Sequence, residues 1–295
     1  MPSFFPPSEL ILNPDGSIYH LNLLPEDIGE YVITVGDPDR VGHVSRHFDT
    51  LELKKGKREF VTHTGMLGKR RITVLSTGIG PDNIDIVLNE LDALVNIDLT
   101  TRMPLPQLRR LKIIRLGTSG CVQPAISVDS IVCSAMGLGF DNMLNFYDRE
   151  LAPGEQQLAQ DWQNLVAEKK WALPMVPYPT LADEELLTTI GAPYHQGITI
   201  TAPGFYAPQG RQLRATSKLQ PVILDQLHHF QSQGFPLINV EMETAAIYGL
   251  SQILGHQALS CSLILANRAN HTFSNRPKAA VDEMIQAILT KISEV

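Results

Sequence analysis

Cysteine is scarce in this chain of 295 residues, which has 3. Cys121, Cys133 and Cys261 each lie in an apolar, strand-like run, with no CxxC pair and no histidine at ligand spacing. That excludes a disulfide framework and a structural zinc site, and predicts buried thiols in a reducing compartment. Long basic runs are missing too. With 31 acidic against 24 basic residues and a formal charge of -7, no nucleic-acid partner is expected, and any phosphate recognition must be local. No apolar run approaches the length of a membrane span, and the N-terminal MPSFFPPSELILNPDGS has no basic residue followed by an apolar core. A cytoplasmic protein without a membrane partner is the expectation. GxSxG, HExxH and GxxxxGK[ST] are absent, which argues against the common hydrolases, zinc proteases and P-loop enzymes.

What is present is a hydrophobic fraction of 43%, ample for a packed core, and an alternation of strand, loop and helix. The stretch Lys112 to Gly120, KIIRLGTSG, stands out. Ile113, Ile114 and Leu116 predict a buried strand, and Gly117 to Gly120 a small-residue turn that ends it. Arg115 inside that run needs a partner, because an unpaired buried guanidinium is too costly to keep. Phosphate suits its planar fork; a structural carboxylate is the plainer alternative.

Along the chain, residues 1–17 are rich in Pro, Ser and Gly and read as an extended arm before a domain spanning 18–295. Tyr31 to Val35 is a strand ending in Gly36-Asp37-Pro38-Asp39-Arg40, with Asp37 as helix N-cap and Pro38 at the first helical position. His43 and His47, four apart and lacking a third ligand nearby, read as a solvated face. Lys54 to Arg58 reads as a basic turn before a strand from Glu59 to Thr64, and Arg71 to Leu75 as another strand. Gly78 and Gly80 resemble the start of a dinucleotide fingerprint, but Asn83 stands at its third glycine. Helices are predicted over Pro81 to Val95, with Ile84, Val87, Leu88, Leu91 and Leu94 on one face, near 154–169, and over Pro277 to Ile292. Residues 97–111 read as a surface connection, and Asp129 to Ala135 as a strand followed by a looser run, Gly137 to Asn142. The strand Gly197 to Thr201 leads into a loop with Phe205, Tyr206, Gln209 and Arg211, a combination suited to a flat heterocycle or to an ordinary surface loop. Glu241 and Glu243 meet a helix start, where they favour its N-terminus or accept hydrogen bonds from sugar hydroxyls. Polar residues thus collect at strand ends, where open α/β sheets bind ligands.

The ordered set GDPDR (36–40), KREF (57–60), STGIG (76–80), RLGTSG (115–120), FYAPQGR (205–211), VEMET (240–244) and ANR (266–268) resembles the nucleoside phosphorylases of the uridine phosphorylase type. The likeness runs from about His20 to the C-terminal helix. It implies a single α/β domain around a mixed, partly closed β-sheet flanked by helices, assembled as a homo-oligomer built from dimers. Carried over by position, Gly36, Arg40, Arg115 and Thr118 resemble the phosphate site, with Arg58 similar to an arginine that reaches the neighbouring subunit's phosphate. His20 is similar to a histidine that reaches the neighbour's ribose 5'-hydroxyl. Met242 and Glu243, with Glu241 beside them and Thr118 near, resemble the ribose contacts; Phe205, Gln209 and Arg211 resemble the pyrimidine pocket.

The implied reaction is phosphorolysis of uridine, with phosphate as co-substrate and no cofactor or metal. Arg40, Arg115, Arg211 and Glu243 carry the catalytic expectation: arginines position and neutralise phosphate, Glu243 fixes the 2'- and 3'-hydroxyls, and Gln209 and Arg211 meet the charge that develops on uracil. Some relatives bind a monovalent cation at positions matching Glu59, Ile79 and Asn83, yet here Gly80-Pro81-Asp82-Asn83 replaces the family's usual Gly, Pro and Ser. A purine nucleoside phosphorylase, a nucleosidase of the same fold and a non-catalytic nucleoside sensor stand as alternatives. Arg40, Arg58 and Arg115 speak against the nucleosidase, which needs no phosphate cluster.

Overall fold

Short apolar runs bounded by turns become strands, and the longer periodic runs become helices that cover both sheet faces. A computed structural model describes residues 4–219 and 226–294. Its main sheet has strands β1 (Tyr31–Val35), β2 (Thr50–Lys57), β3 (Phe60–Leu67), β4 (Arg70–Ser76), β7 (Lys112–Cys121), β8 (Ile131–Gly139), β9 (Tyr178–Leu181), β10 (His195–Thr201), β11 (Gln231–Ser232), β12 (Phe235–Glu241), β13 (Gln257–Asn267) and β14 (Thr272–Phe273). The short β5 (Ile97–Asp98) and β6 (Met103–Pro104) pair separately. The order is β11-β12-β10-β8-β13-β7-β1-β4-β3-β2. β12 also pairs with β7, Asn239 opposite Cys121 and Val240 opposite Gly120, so β7, β12, β10, β8 and β13 close into a ring. The sheet is therefore mixed and partly closed, as expected.

The helices α1 (Pro38–Ser45), α2 (Pro81–Asn96), α3 (Pro153–Lys169), α4 (Glu184–Thr189), α5 (Thr244–Leu254) and α6 (Pro277–Glu294) pack around it. One core joins Ile84, Leu88 and Leu91 of α2 to Ala245, Ile247 and Tyr248 of α5. On the other face, Val41 and Val44 of α1 meet Met284, Ile285 and Ile288 of α6. Cys133 and Cys261, opposite each other on β8 and β13, are buried with sulfurs 3.3 Å apart. Among the described residues no helix is long and apolar enough to cross a membrane.

Several local expectations give way to packing. Gly117 to Gly120 is no turn: β7 continues to Cys121 because β13 pairs with it along its whole length. Lys54 to Lys57 belongs to β2, an edge strand whose lysines lie on the rim, and only Arg58 and Glu59 form the turn to β3. The run expected to be loose after Ala135 is strand as far as Gly139. Its glycines are sites of close approach, for a Cβ on Gly139 would stand 2.1 Å from the Tyr178 ring and one on Gly137 3.1 Å from Cα of Ala245. The N-terminal segment is a folded loop instead of an extended arm. Leu12 bridges to Ile18, Leu10 and Ile18 enter the α2 core, and Lys57 Nζ donates to Asn13 Oδ1 at 2.9 Å and to the Tyr19 carbonyl.

Candidate active site

Strand β7 runs through the middle of the site. Arg115 is buried, and its side chain lies back along the strand over Gly117, where a Cβ would come within 1.8 Å of Nη1. Nη2 donates to Glu243 Oε2 at 2.5 Å and stands 3.1 Å from Glu241 Oε2; Nη1 donates to Ser262 Oγ at 3.2 Å. Burial pulls the guanidinium's pKa down, but Glu241 and then Glu243 outweigh it and hold the group above its ordinary value. The partner that a buried arginine demands is thus a pair of carboxylates.

Those carboxylates differ. Glu241 Oε1 accepts from Thr201 Oγ1 at 2.7 Å, Oε2 from the Glu243 N-H at 2.9 Å, and both from the Thr244 N-H at 3.1 Å. It fastens the β12–α5 junction and has little capacity left for a sugar. Glu243, the N-cap residue of α5, accepts, among the described residues, only from Arg115 and, at Oε1, from the Gly80 N-H at 2.8 Å. Burial raises its pKa, Arg115 opposes the rise, and Glu241 adds to it. Two acids sharing one guanidinium carry one negative charge too many. Met242 lies between them, half-buried.

Asp37 accepts from the Asp39 N-H at 3.0 Å and so starts α1, which brings Arg40 against the middle of β7, where its Nη1 donates to the Leu116 carbonyl at 3.2 Å. Burial, then repulsion from Arg115, lowers the Arg40 pKa. Since a guanidinium does not deprotonate, this cation sits where an anion is welcome. Gly36 directly follows β1, whose Thr34 lies opposite Arg115, and half-buried Thr118 lies on β7.

The base-binding candidates form a second cluster around Gly120, where a Cβ would stand 3.7 Å from Arg211 Nη2 and 3.8 Å from Arg268 Cδ. Arg211 stacks 4.0 Å from the Phe205 ring centre, donates to the Phe205 carbonyl at 2.8 Å, and bonds Gln209 Oε1. Burial and then Arg268 lower its pKa. Arg268 Nη1 donates to the Gln209 carbonyl at 2.6 Å. Gln209 is only 3% exposed, whereas Phe205 is 52% exposed: a buried amide lies beneath an open aromatic flap.

His20 and Arg58 stand apart from both clusters but close to each other. Arg58, at positive φ on the β2–β3 turn, lies 5.9 Å from the Tyr19 ring centre. His20 Nδ1 is 2.6 Å from Glu90 Oε1, and Glu90 also accepts the N-H groups of His20 and Leu21. Glu59 and Asn83 flank Gly78, where a Cβ would meet Asn83 Nδ2 at 2.4 Å and Glu59 Cγ at 3.4 Å. With exposed Ile79 between them in sequence, one carboxylate and one amide make a thin donor set for a cation.

Sequence reading missed Glu90 and Ser262, and missed the roles of Gly80 as a donor to Glu243, of Gly117 as the bed of Arg115 and of Thr201 as a donor to Glu241. Only Gly117 left a signal, as a glycine inside an apolar strand.

The sequence pattern of the phosphorylase superfamily matches residues 30–295. The uridine phosphorylase of Thermococcus kodakarensis is 29% identical over 259 residues, covering 88% of this chain and 80% of that protein. A DeoD-type purine nucleoside phosphorylase of Buchnera aphidicola is 25% identical over 286 residues, covering 92% and 98%. The crystal structure of a Trypanosoma brucei nucleoside phosphorylase described as showing uridine phosphorylase activity superposes with a TM-score of 0.88 at 27% identity, over 97% of this chain and 100% of that one. A matching sequence pattern from β1 to the last helix, a shared architecture and an arginine-carboxylate cluster between β7 and the end of β12 make this chain a member of the phosphorylase superfamily.

Proposed function

We propose that this protein catalyses the phosphorolysis of uridine to uracil and ribose 1-phosphate. The observation that carries the reading is the pairing, along β7, of a cationic corner with a donor-rich base cluster: Arg40 and Arg115 beside Glu243, then Gln209 and Arg211 around Gly120. Phosphate held by Gly36, Arg40, Arg115 and Thr118 attacks C1' of the ribose. As the new C1'-O bond forms, the C1'-N1 bond breaks and its electron pair leaves with the uracil. Glu243 holds the 2'- and 3'-hydroxyls beside Met242, and fixed charges supply most of the acceleration. Phosphate is a co-substrate, and no step needs a cofactor.

The purine alternative requires a proton for N7 of the departing base, and the end of β13 offers no carboxylate for it. Asn267 there is turned inward, donating to the carbonyls of Gln123 at 2.8 Å and Ile126 at 2.7 Å. A uracil anion is instead stabilised by donors, which Gln209 and Arg211 provide.

His20 and Arg58 serve, in this reading, a neighbouring subunit's ribose and phosphate, so the working unit is a homodimer or an oligomer of dimers. Their place outside the Arg115 cluster supports this, as do the exposed Ile79 and Phe146. Uridine incubated with and without inorganic phosphate, with product identification, tests the proposal. Uracil and ribose 1-phosphate should appear together and only with phosphate; uracil release at full rate in phosphate-free buffer overturns it.

A further inference from the structure

Strands β8 and β13 pair antiparallel for a short stretch, with Leu263 opposite Ile131, Ser262 opposite Val132 and Cys261 opposite Cys133. The next pair in this register is Ser260 and Ser134, and there the ladder opens; β8, paired with β10 throughout, takes β9 as its antiparallel partner only from Met136 onward. Opening leaves a backbone N-H and a carbonyl in a dry interior, a cost that buried structure avoids. The Tyr248 hydroxyl fills the gap. It accepts from the Ser260 N-H at 2.8 Å and donates to the Ser134 carbonyl at 2.6 Å, so one side-chain oxygen replaces the missing ladder bond. The residue is fully buried, and burial lifts its pKa well above the ordinary tyrosine value, so the hydroxyl keeps the proton it donates.

Ser260 links this repair to the site. On β13 it lies opposite Arg115 of β7, and its Oγ is 2.8 Å from Thr244 Oγ1. Thr244 directly follows Glu243, and Tyr248 stands one helical turn further along α5. Two hydroxyls on one face of α5 therefore clamp that helix to the strand beside Arg115. The helix N-terminus carries Glu243, whose Oε2 meets Arg115 at 2.5 Å.

We propose that Tyr248 is a positioning residue: its inserted hydroxyl sets the distance between the start of α5 and β7, and so the aim of Glu243 at the ribose 2'-hydroxyl. The inference rests on the proposed reaction, in which Glu243 holds the ribose hydroxyls. A residue that acts only through that contact costs more with a substrate that offers Glu243 both hydroxyls than with one that offers the 3'-hydroxyl alone, whereas general loosening affects both alike.

The test is Tyr248→Phe, which keeps the ring and deletes the bridge, assayed with saturating phosphate on uridine and 2'-deoxyuridine. Uridine kcat/KM should fall about tenfold and that of 2'-deoxyuridine less than about threefold, compressing the preference between them. Equal losses on both substrates, or no loss on either, overturn the positioning role. If Tyr248→Phe does not accumulate as folded protein, Thr244→Val, which cuts the companion bond to Ser260, carries the same expectation and the same refutation. The unmodified protein supplies the control: failure to cleave uridine with phosphate defeats the reaction proposed above, while cleavage without the substrate-dependent shift defeats only the role of Tyr248.

Discussion

Glu243 Oε2 lies 2.5 Å from Arg115 Nη2, with Glu241 Oε2 3.1 Å from the same nitrogen, all three side chains buried. Substrates must bind into this cluster, so it has to be held in shape while exchanging partners. Arg115→Ala leaves both acids buried without their cation. Breaking a buried pair from one side costs about 3–5 kcal/mol of stability, and losing a preorganised donor costs roughly 3 kcal/mol in the transition state. Denaturant unfolding should show the first loss and kcat/KM for uridine the second. A variant of unchanged stability would mean that Glu241 and Glu243 do not depend on Arg115.

Gly117 keeps the Arg115 side chain folded along its strand. Gly117→Ala puts a Cβ 1.8 Å from Nη1, a clash that only movement of the guanidinium relieves. Overpacking of this kind costs about 1–3 kcal/mol, and uridine kcat/KM should fall at least about tenfold because Arg115 leaves Glu243. The alanine variant keeping full activity would place the working position of Arg115 elsewhere.

The same glycine explains why part of the site was legible in the sequence and part was not. Apolar spacing in 81–95 and 277–292 located α2 and α6 to within a residue or two, since periodicity reports directly on a buried face. LGTSG read as a turn because local propensity dominates when partners are unknown; β13 and β12, distant in sequence, keep it in the sheet. The basic run Lys54 to Arg58 misled for a related reason, as edge strands carry lysines that turns also favour. Arg115 was correctly read as needing a partner. Which partner it has depends on Glu241 and Glu243, more than a hundred residues away and brought near by the closing of the sheet. Glu90 and Tyr248 left no trace, because one act by backbone hydrogen bonds and the other sits on an apolar helix face like any core residue.

Buried acids give the fold a pH dependence opposite to that of surface ion pairs. Burial raises Asp141 above 3.8, with the Tyr178 hydroxyl opposing the rise, and raises Glu243 above 4.5. The folded state therefore holds protons that the unfolded chain has released. Their contribution is present below the unfolded values and is lost as pH rises toward the raised ones, at up to about 1.4 kcal/mol per pH unit for each group. In urea unfolding from pH 4 upward this negative contribution adds to the opposite one of the exposed acids with lowered pKa, such as Asp282 and Glu283, and Asp141→Asn should shift the slope in the positive direction. An unchanged slope in that variant would remove Asp141 from the account.

The proposed sharing of sites between subunits predicts complementation. Arg58 lies on the β2–β3 turn away from Arg40, and neither belongs to the buried Arg115 cluster of ion pairs, so Arg58→Ala and Arg40→Ala should both fold but be inactive. After subunit exchange, each mixed dimer contains one site built from an intact Arg40 and an intact Arg58 and one site lacking both, so activity should return to about half the fraction of mixed dimers. No recovery after exchange verified by mass spectrometry would confine Arg58 to its own subunit.

Base selectivity follows from the way Arg211 holds Gln209. The guanidinium stacks on Phe205 and binds Gln209 Oε1, while Arg268 fixes the Gln209 carbonyl at 2.6 Å. The amide is thereby aligned before any base arrives, its Nε2 able to donate to one uracil carbonyl and Arg211 to the other. A purine offers a different polar edge, and the mismatch leaves these groups unpaired. Sites built to pair with a substrate's polar edge reject the wrong one by roughly 10⁴-fold or more, so kcat/KM should favour uridine over inosine by a margin of that order. Gln209→Ala should lower uridine cleavage about a hundredfold, through lost recognition and a less stabilised leaving group, and Arg211→Ala at least as much, because it also releases Gln209. Inosine turnover, already slow, should change little in either variant. Comparable kcat/KM values for inosine and uridine in the unmodified protein would instead assign it a purine or broad-specificity reaction.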